Sequence, residues 1–412
     1  MNLKKPELLS PIQDFTSLQA AIAGGCDAVY FGIRGFNMRA GAKNFTGADL
    51  KKVVKICQQY KVRTYLALNT IIYENELKQI EIILKKAKTA GVSAVICWDL
   101  GVVEQAVKLG LETHLSTQAS VANSMAAKFY KKLGIKRIVL ARECSLEQIK
   151  EIKKQTDIEI EIFIHGAMCV SESGRCFLSQ FIYGKSANRG ECLQPCRRKY
   201  LIKQTDGNEE FELGEDYVLS PKDLCTLPFI EKLIEAGIDC FKIEGRNRSP
   251  EYVKRVTSVY REIIDYYFRI KNNKLKLNKK EFEDLKKKLL VDLGTVYNRG
   301  FGDGFYLGKP INQWTHNYGS QATVRKIHLG RVMHYYSKIG VAEIEIQANK
   351  KLKIKDEIII EGPTTGVYNK KIESMEMEHQ KIKIAQQGDI IAVKVEQRAR
   401  ANDLVYKIVE KN

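Results

Sequence analysis

The chain has 412 residues, 44% of them apolar, which is enough for a sizeable core and too long for one average domain. No run of about eighteen apolar residues occurs, and the opening stretch MNLKKPELLSPIQDF has no apolar signal core, so the reading excludes membrane spanning and secretion and expects a cytoplasmic protein. The 67 Lys+Arg against 49 Asp+Glu leave a net charge of +18, which fits a polyanionic partner such as nucleic acid and equally fits lysine-rich but ordinary helix faces.

Eight β-branched runs read as strands: ELLSPI, DAVYFGI, RTYLALNT, SAVICWDL, ETHLSTQAS, KRIVLARE, IEIEIFIHGA and CFKIEGR. Between most of them lie stretches with apolar residues at helical spacing, among them DFTSLQAAIAGG, TGADLKKVVKICQQY, ENELKQIEIILKKAKTAG and SMAAKFYKKLG. Gly91 and Gly134 mark the ends of two of these helices. Strands alternating with helices predict a parallel sheet, and eight is the number that closes a (β/α)8 TIM-like barrel; a doubly wound open sheet is the alternative.

The barrel is expected over residues 1–265. Its last helix starts at Ser249 and Pro250, a good N-cap followed by proline at the first helical position, and repeats Tyr252, Val256, Val259, Tyr260, Ile263 and Tyr267 at helical spacing. Residues 266–310 read as a basic helical connection, and its segment KNNKLKLNKKEFEDLKKKLL is either a solvated face or a nucleic-acid contact. Residues 311–412 read as a small all-β barrel module, with short strand-like runs around Val341, Ile344, Ile346, Ile358, Ile360, Ile382, Ile384, Ile390 and Val393. Its lysines (Lys350, Lys351, Lys353, Lys355, Lys370, Lys371) suit RNA binding or a simple packing module, and fold alone does not decide.

Ten cysteines without a secretion signal point to metal binding or catalysis rather than to disulfides. Four fall within one segment: six residues separate Cys169 from Cys176, fifteen separate Cys176 from Cys192, and three separate Cys192 from Cys196. Zinc sites take cysteines in tight pairs, and only the 192/196 pair has that spacing, so an iron–sulfur cluster fits better without excluding zinc. Cys225, in LSPKDLC, competes with Cys196 as the fourth ligand. Cys26, Cys57, Cys97, Cys144 and Cys240 read as core residues. Because the segment follows the seventh strand, the cluster is expected over the barrel mouth, where (β/α)8 enzymes place their active sites.

The run from Glu161 to Ser179 resembles the signature of the collagenase-like peptidase family, the thirty-second family of peptidases with unassigned mechanism, at Glu161, Phe163, Gly166, Ala167, Cys169, Gly174, Cys176 and Ser179. The resemblance extends to YFGIRGFNMRA, STQAS, NRGECLQPCRRKY, LSPKDLC, KIEGRNRSPEYV and YNRGFGDGFYLG. The family name implies proteolysis, but neither an H-E-x-x-H zinc motif nor a G-x-S-x-G nucleophile elbow is present. The branch this chain is most similar to implies oxygen-independent hydroxylation of the tRNA wobble uridine at ring carbon five, with a 4Fe-4S cluster and with prephenate as hydroxyl donor. Other branches imply hydroxylation of ribosomal RNA or of a quinone precursor. Pairing with a paralogous family subunit is also implied.

A dicarboxylate such as prephenate calls for guanidinium groups, for which Arg39, Arg175 and Arg246 are the candidates. His165 is the candidate proton donor or acceptor, and Glu244 the candidate base or arginine-orienting group. Asn69 and Gln118, at strand ends, could meet a uracil edge. The lysine-rich connection and the β module would meet tRNA phosphates.

Overall fold

The computed structural model describes residues 3–203, 212–214, 217–273 and 278–411. Residues 274–277 of the lysine-rich connection therefore lie outside the described residues.

The eight predicted runs form eight parallel strands: β1 (Glu7–Pro11), β2 (Ala28–Gly32), β3 (Arg63–Ala67), β4 (Ala94–Cys97), β5 (Thr113–Leu115), β6 (Arg137–Val139), β7 (Glu159–Gly166) and β8 (Cys240–Ile243). Each pairs with its neighbour in order, and β8 pairs with both β1 and β7, so the sheet closes into a barrel and is not an open doubly wound sheet. All five residues of β2 are buried, as expected for a parallel strand covered on both faces.

The helices between the strands form where the sequence caps them. Asp14 accepts the N–H of Ser17 at 2.8 Å to start α1 (Phe15–Ala23). Gly91, at φ +78°, ends α3 (Leu77–Ala90) in the left-handed conformation that glycine adopts most readily. Helix α9 (Pro250–Asn272) follows Ser249 and buries Tyr252, Val256, Val259, Tyr260, Ile263 and Tyr267. It continues beyond residue 265 as one uninterrupted helix. Helix α10 (Lys279–Gly294) then packs on it through Phe282, Leu289 and Leu293. One lysine of this connection, Lys286, is buried and bonded to Glu231 (2.8 Å) and Glu283 (2.9 Å), whereas Lys287 and Lys288 are exposed.

Inside the barrel, Leu9, Tyr30, Tyr65, Ala67, Ile96 and Cys240 form an inner cluster. Below the mouth lies a layer of buried charge. Arg137 reaches Glu7 at 2.6 Å and Glu159 at 2.7 Å, Lys242 reaches Glu161 at 2.7 Å, and the Tyr65 hydroxyl donates to Glu7 at 2.8 Å. Charges this deep are tolerable because each is paired.

Residues 311–316 stay with the barrel: Trp314 bridges Pro221, and the Thr315 N–H donates to the Ser220 carbonyl at 2.8 Å. The all-β module proper begins at β9 (Val324–Tyr336). With β10 (Val341–Ile346), β11 (Glu357–Gly362), β12 (Gly366–Lys371), β13 (Ile390–Lys394), β14 (Leu404–Glu410) and two shorter strands it makes an eight-stranded antiparallel sheet. The sheet has its own core, which includes Leu329, Ile344, Ile358, Ile360 and Val393. The module docks on α1 and α9, where Lys326 bonds Glu251 (2.8 Å) and Glu361 (2.7 Å) and Lys254 donates to the Val367 carbonyl at 2.7 Å. Among the described residues, no helix is long and apolar enough to cross a membrane.

Candidate functional site

The site is built where β7 and β8 end. Gly166 closes β7 at φ +107°, and a Cβ there would stand 2.5 Å from the Glu244 carbonyl, so only glycine lets the two strand ends meet this closely. The chain then folds over the mouth from Ala167 to Tyr200 through short turns and α7 (Leu178–Tyr183). Gly190, at φ +88°, does the same for the return path: a Cβ would stand 2.3 Å from the Asn37 carbonyl. The Ala40 N–H donates to the Gly190 carbonyl at 3.0 Å, which docks the loop on the segment after β2.

This loop carries four thiols. Cys169 and Cys192 are exposed, and Cys176 and Cys196 are half-buried. Burial pushes the Cys192 thiol up, and Cys169 and Cys176 add to that. Burial likewise raises Cys196, with Cys169 and Cys192 contributing. Cys169 and Cys176 thus lie close enough to Cys192, and Cys169 and Cys192 close enough to Cys196, to disfavour ionisation of those two thiols. Two sulfurs already accept backbone hydrogen bonds, from Leu178 N–H to Cys176 Sγ and from Gln194 N–H to Cys192 Sγ, both at 3.4 Å. Cys225 is elsewhere. It is buried, its sulfur stands 3.8 Å from the Tyr260 hydroxyl on α9, and burial pushes it up to about 11.

Beside these thiols the barrel mouth opens into a cavity of about 140 Å³. Cys169, Cys192 and Cys196 line it together with Arg39, Asn69, Gln118, Glu244 and Arg246. Arg142, Arg197 and Lys242 also line it and were not foreseen. Four arginines and Lys242 thus line the cavity with the single carboxylate of Glu244, and Lys242 is already paired with Glu161.

Arg39 Nη2 meets Glu244 Oε1 at 3.2 Å. Burial alone would raise the Glu244 carboxyl, but Arg39, Arg248 and Arg142 more than offset this and hold it at about 2. Glu244 is therefore ionised at neutral pH, a weak base that orients Arg39 and accepts the Ala167 N–H at 3.3 Å. Arg246 is buried and donates to Asn37 Oδ1 at 3.0 Å, and no carboxylate among the described residues stands within salt-bridge distance of it. Burial, with repulsion from Arg39, pulls it down to about 10. Arg142 lies over the Phe163 ring at 4.0 Å and donates to the Ala167 carbonyl at 2.7 Å, while its buried Nε has no partner among the described residues. Arg197 ties the loop down by donating to Ser220 Oγ at 3.1 Å and to the Met168 carbonyl. On the opposite wall, Asn69 Nδ2 donates to Ser116 Oγ (3.4 Å) and Gln118 Oε1 (3.5 Å), which fixes two amides for an incoming polar edge.

Besides Cys176 and Cys225, two foreseen residues, His165 and Arg175, stand outside the cavity lining. His165 is buried among Tyr252, Tyr260 and Phe301, and burial pulls it down to about 3, so it is neutral. Arg175 sits half-exposed on the loop, where it pairs with Glu172 at 3.3 Å and donates to Ser120 Oγ at 3.1 Å.

The family description "Peptidase family U32" matches residues 13–316. The "Collagenase" of Porphyromonas gingivalis (strain W83) is 41% identical over 99% of both chains. The "tRNA hydroxylation protein P1" of Bacillus subtilis is 36% identical over 90% of this chain and 87% of its own. The "23S rRNA 5-hydroxycytidine C2501 synthase" of Escherichia coli is 40% identical over 63% of this chain and 39% of its own.

Proposed function

Given that this chain belongs to peptidase family U32, we propose that it is an iron–sulfur RNA hydroxylase, acting on the wobble uridine of tRNA with prephenate as hydroxyl donor. The observation that carries the reading is the sharing of one cavity by three of the four loop thiols and an excess of cations. Relatives named for tRNA and rRNA hydroxylation support the reaction class.

The donor set fits a 4Fe-4S cluster. Cys169, Cys176, Cys192 and Cys196 are the ligands of choice, because Cys225 faces α9 instead. Among the described residues no three His, Cys, Asp or Glu side chains are close enough to share one metal ion. The N–H groups of Leu178 and Gln194 would stabilise the thiolate charge and help set the potential. When bound, the cluster would supply one-electron transfer beside the cavity.

Arg246, Arg39 and Arg142 would grip the donor's two carboxylates. Replacing C5–H of uracil by C5–OH removes two electrons from the base. Loss of hydroxyl and carbon dioxide from prephenate makes its ring aromatic, which leaves two electrons and two protons for an external electron-acceptor protein. The wobble base is already unpaired, so it enters a barrel mouth at little unstacking cost.

Proteolysis, the rival suggested by the "Collagenase" relative, needs an activated base or nucleophile at the cavity. Glu244 is held at about 2 and His165 is buried outside the lining, so neither serves near neutral pH. The test is anaerobic purification with iron, sulfide and zinc analysis, followed by mass spectrometry of tRNA from a deletion strain complemented with this chain. Iron and sulfide in equal amounts and restored 5-hydroxyuridine are expected. Zinc without iron, or gelatin cleavage with no change in tRNA, overturns the reading. Restoration only on co-expression of a paralogue would assign the activity to a heteromer.

A further inference from the structure

Asn37 lies on the segment after β2, inside the run YFGIRGFNMRA, and is not part of the cavity lining. Its side chain is completely buried, yet it holds three polar partners. Oδ1 accepts the Arg246 Nη1–H and the Arg39 backbone N–H, both at 3.0 Å, and Nδ2 donates to the Ile33 carbonyl at 2.6 Å. Among the described residues, Asn37 Oδ1 is the only hydrogen-bond acceptor of Arg246. Gly32 makes room for this arrangement: a Cβ there would stand 2.3 Å from Asn37 Cγ and 2.7 Å from Arg246 Nη1.

The next two residues tie the same segment to other walls of the cavity. The Met38 N–H donates to Asn69 Oδ1 at 3.2 Å, which leaves Nδ2 of that amide for Ser116 and Gln118. The Arg39 side chain donates to the Met38 carbonyl at 3.1 Å and to Glu244 at 3.2 Å. The Asn37 carbonyl packs on Gly190, and the Ala40 N–H bonds that glycine. Residues 37–40 therefore fix two guanidiniums, the amide pair on the opposite wall and the loop that carries Cys192.

Resting on the hydroxylase reading, we propose that Asn37 is a positioning residue: it holds the two guanidiniums that grip the anionic donor in register with the Asn69–Gln118 amides that meet the base. An amide suits this place. Asparagine accepts twice through one oxygen and donates through its nitrogen without adding charge. Aspartate would also accept, but its carboxylate would pair with Arg246 and compete with the donor for it. A side chain without polar atoms would release both arginine contacts. Hydroxyl transfer needs the donor hydroxyl beside ring carbon five, and a misplacement of about 1 Å costs on the order of 100-fold in rate. Out of register, the donor's hydroxide leaves as water with a proton, carbon dioxide departs and the donor ring becomes aromatic, with no oxidation of the base.

The full-length variants Asn37→Asp and Asn37→Ala are compared with the parent in two ways. Urea titration with and without prephenate reads donor affinity, and the ratio of aromatic acid to 5-hydroxyuridine in turnover reads coupling. Asn37→Asp keeps the acceptor and is expected to form the two products in equal amounts, while its affinity for prephenate falls about tenfold. Asn37→Ala is expected to lower kcat on the order of 100-fold and to form the aromatic acid in excess over 5-hydroxyuridine. A purely structural role would lower stability in both variants and leave affinity and ratio at parent values, and that result overturns the proposal. If Asn37→Ala does not fold, the Asn37→Asp titration decides, and parent affinity in that variant overturns it. The urea titration needs neither cluster nor turnover. A parent that forms no 5-hydroxyuridine fails the hydroxylase reading, whereas a competent parent with unaffected variants fails the positioning role.

Discussion

Arg246 offers the sharpest test of the cationic cavity, because the same side chain is costly to the fold and necessary to the ligand. Its guanidinium is pulled from the ordinary arginine value down to about 10, which corresponds to about 3 kcal/mol of unfavourable charge burial. The folded value lies below the ordinary one, so this cost is present in full at neutral pH. It fades only as pH rises beyond about 10. Arg246→Met removes the charge and keeps most of the volume. It also removes the hydrogen bond to Asn37 Oδ1, worth roughly 1.5–3 kcal/mol for a charged donor. Asn37 Oδ1 is not left bare, since it still accepts the Arg39 N–H at 3.0 Å. The two effects nearly cancel, so the ligand-free variant should unfold in urea within about 1 kcal/mol of the parent or slightly above it.

Ligand binding should respond in the opposite way. Loss of a buried guanidinium–carboxylate contact worth about 3 kcal/mol weakens the dianion roughly 100-fold. At a prephenate concentration of 100 times Kd the parent gains about 2.7 kcal/mol of stability; at that same concentration the variant gains only about 0.4 kcal/mol. Paired urea titrations with and without prephenate read both quantities at once. A variant that is destabilised by more than about 2 kcal/mol yet keeps the full ligand-dependent shift would make Arg246 a structural residue and remove the reasoning.

Cys196→Ser should lose most of its iron and visible absorption after anaerobic purification, whereas Cys225→Ser should keep both; the reverse pattern would move the fourth ligand to the Tyr260 side. Glu244 titrates at about 2 against an ordinary 4.5, so its stabilising contribution is present above about pH 4.5 and is lost as pH falls towards 2. Urea midpoints of Glu244→Gln should therefore lack that acid-dependent slope. Burial and the neighbouring Glu251 push Glu361 up to about 7, so this carboxyl favours folding when protonated and opposes it as pH rises from 4.5 through 7. Glu361→Gln should match the parent at pH 5 and exceed it in thermal unfolding at pH 8, and equal behaviour at both pH values would show that the Lys326 pair already balances the charge.

The barrel was legible because its signals are local. Each strand is a short apolar run, and caps such as Ser249–Pro250 and stops such as Gly91 depend on neighbours a few residues away. The cysteine loop was legible for the same reason, through density and spacing. What escaped depends on contacts distant in sequence. Arg142 lies outside the segments that carry the resemblance, Arg197 and Lys242 lie within them without a role of their own, and all three reach the cavity only because β6, the loop and β8 converge there. His165 looked like a mouth residue from its place at a strand end, and Cys225 like a fourth ligand from its place in LSPKDLC. The short strand Asp223–Cys225 pairs antiparallel with the end of β7, opposing Cys225 to His165, and both side chains meet Tyr260. Residues 311–316 resemble a prelude to the β module in composition, but their backbone hydrogen bonds go to residues 220–222, which no local pattern reveals.

The charge arrangement ties these parts into one device. Lys242 and Glu161 neutralise each other beneath the mouth, as do Arg137 and Glu7, so the interior carries its charges without demanding a ligand. Above them the balance changes: the cavity gathers Arg39, Arg142, Arg197 and Arg246, and Glu244 compensates Arg39 most directly. Arg246 is the buried one of the four, and among the described residues it has a hydrogen bond to Asn37 but no carboxylate, which the proposed dianion would supply. Among the thiols next to them, burial and the neighbouring thiols disfavour ionisation of Cys192 and Cys196. Binding of the proposed cluster would remove protons from its ligands and place negative charge against the same cations. A dianionic donor and a thiolate-bound cluster, as proposed above, would thus draw on one shared set of positive side chains rather than on two independent ones.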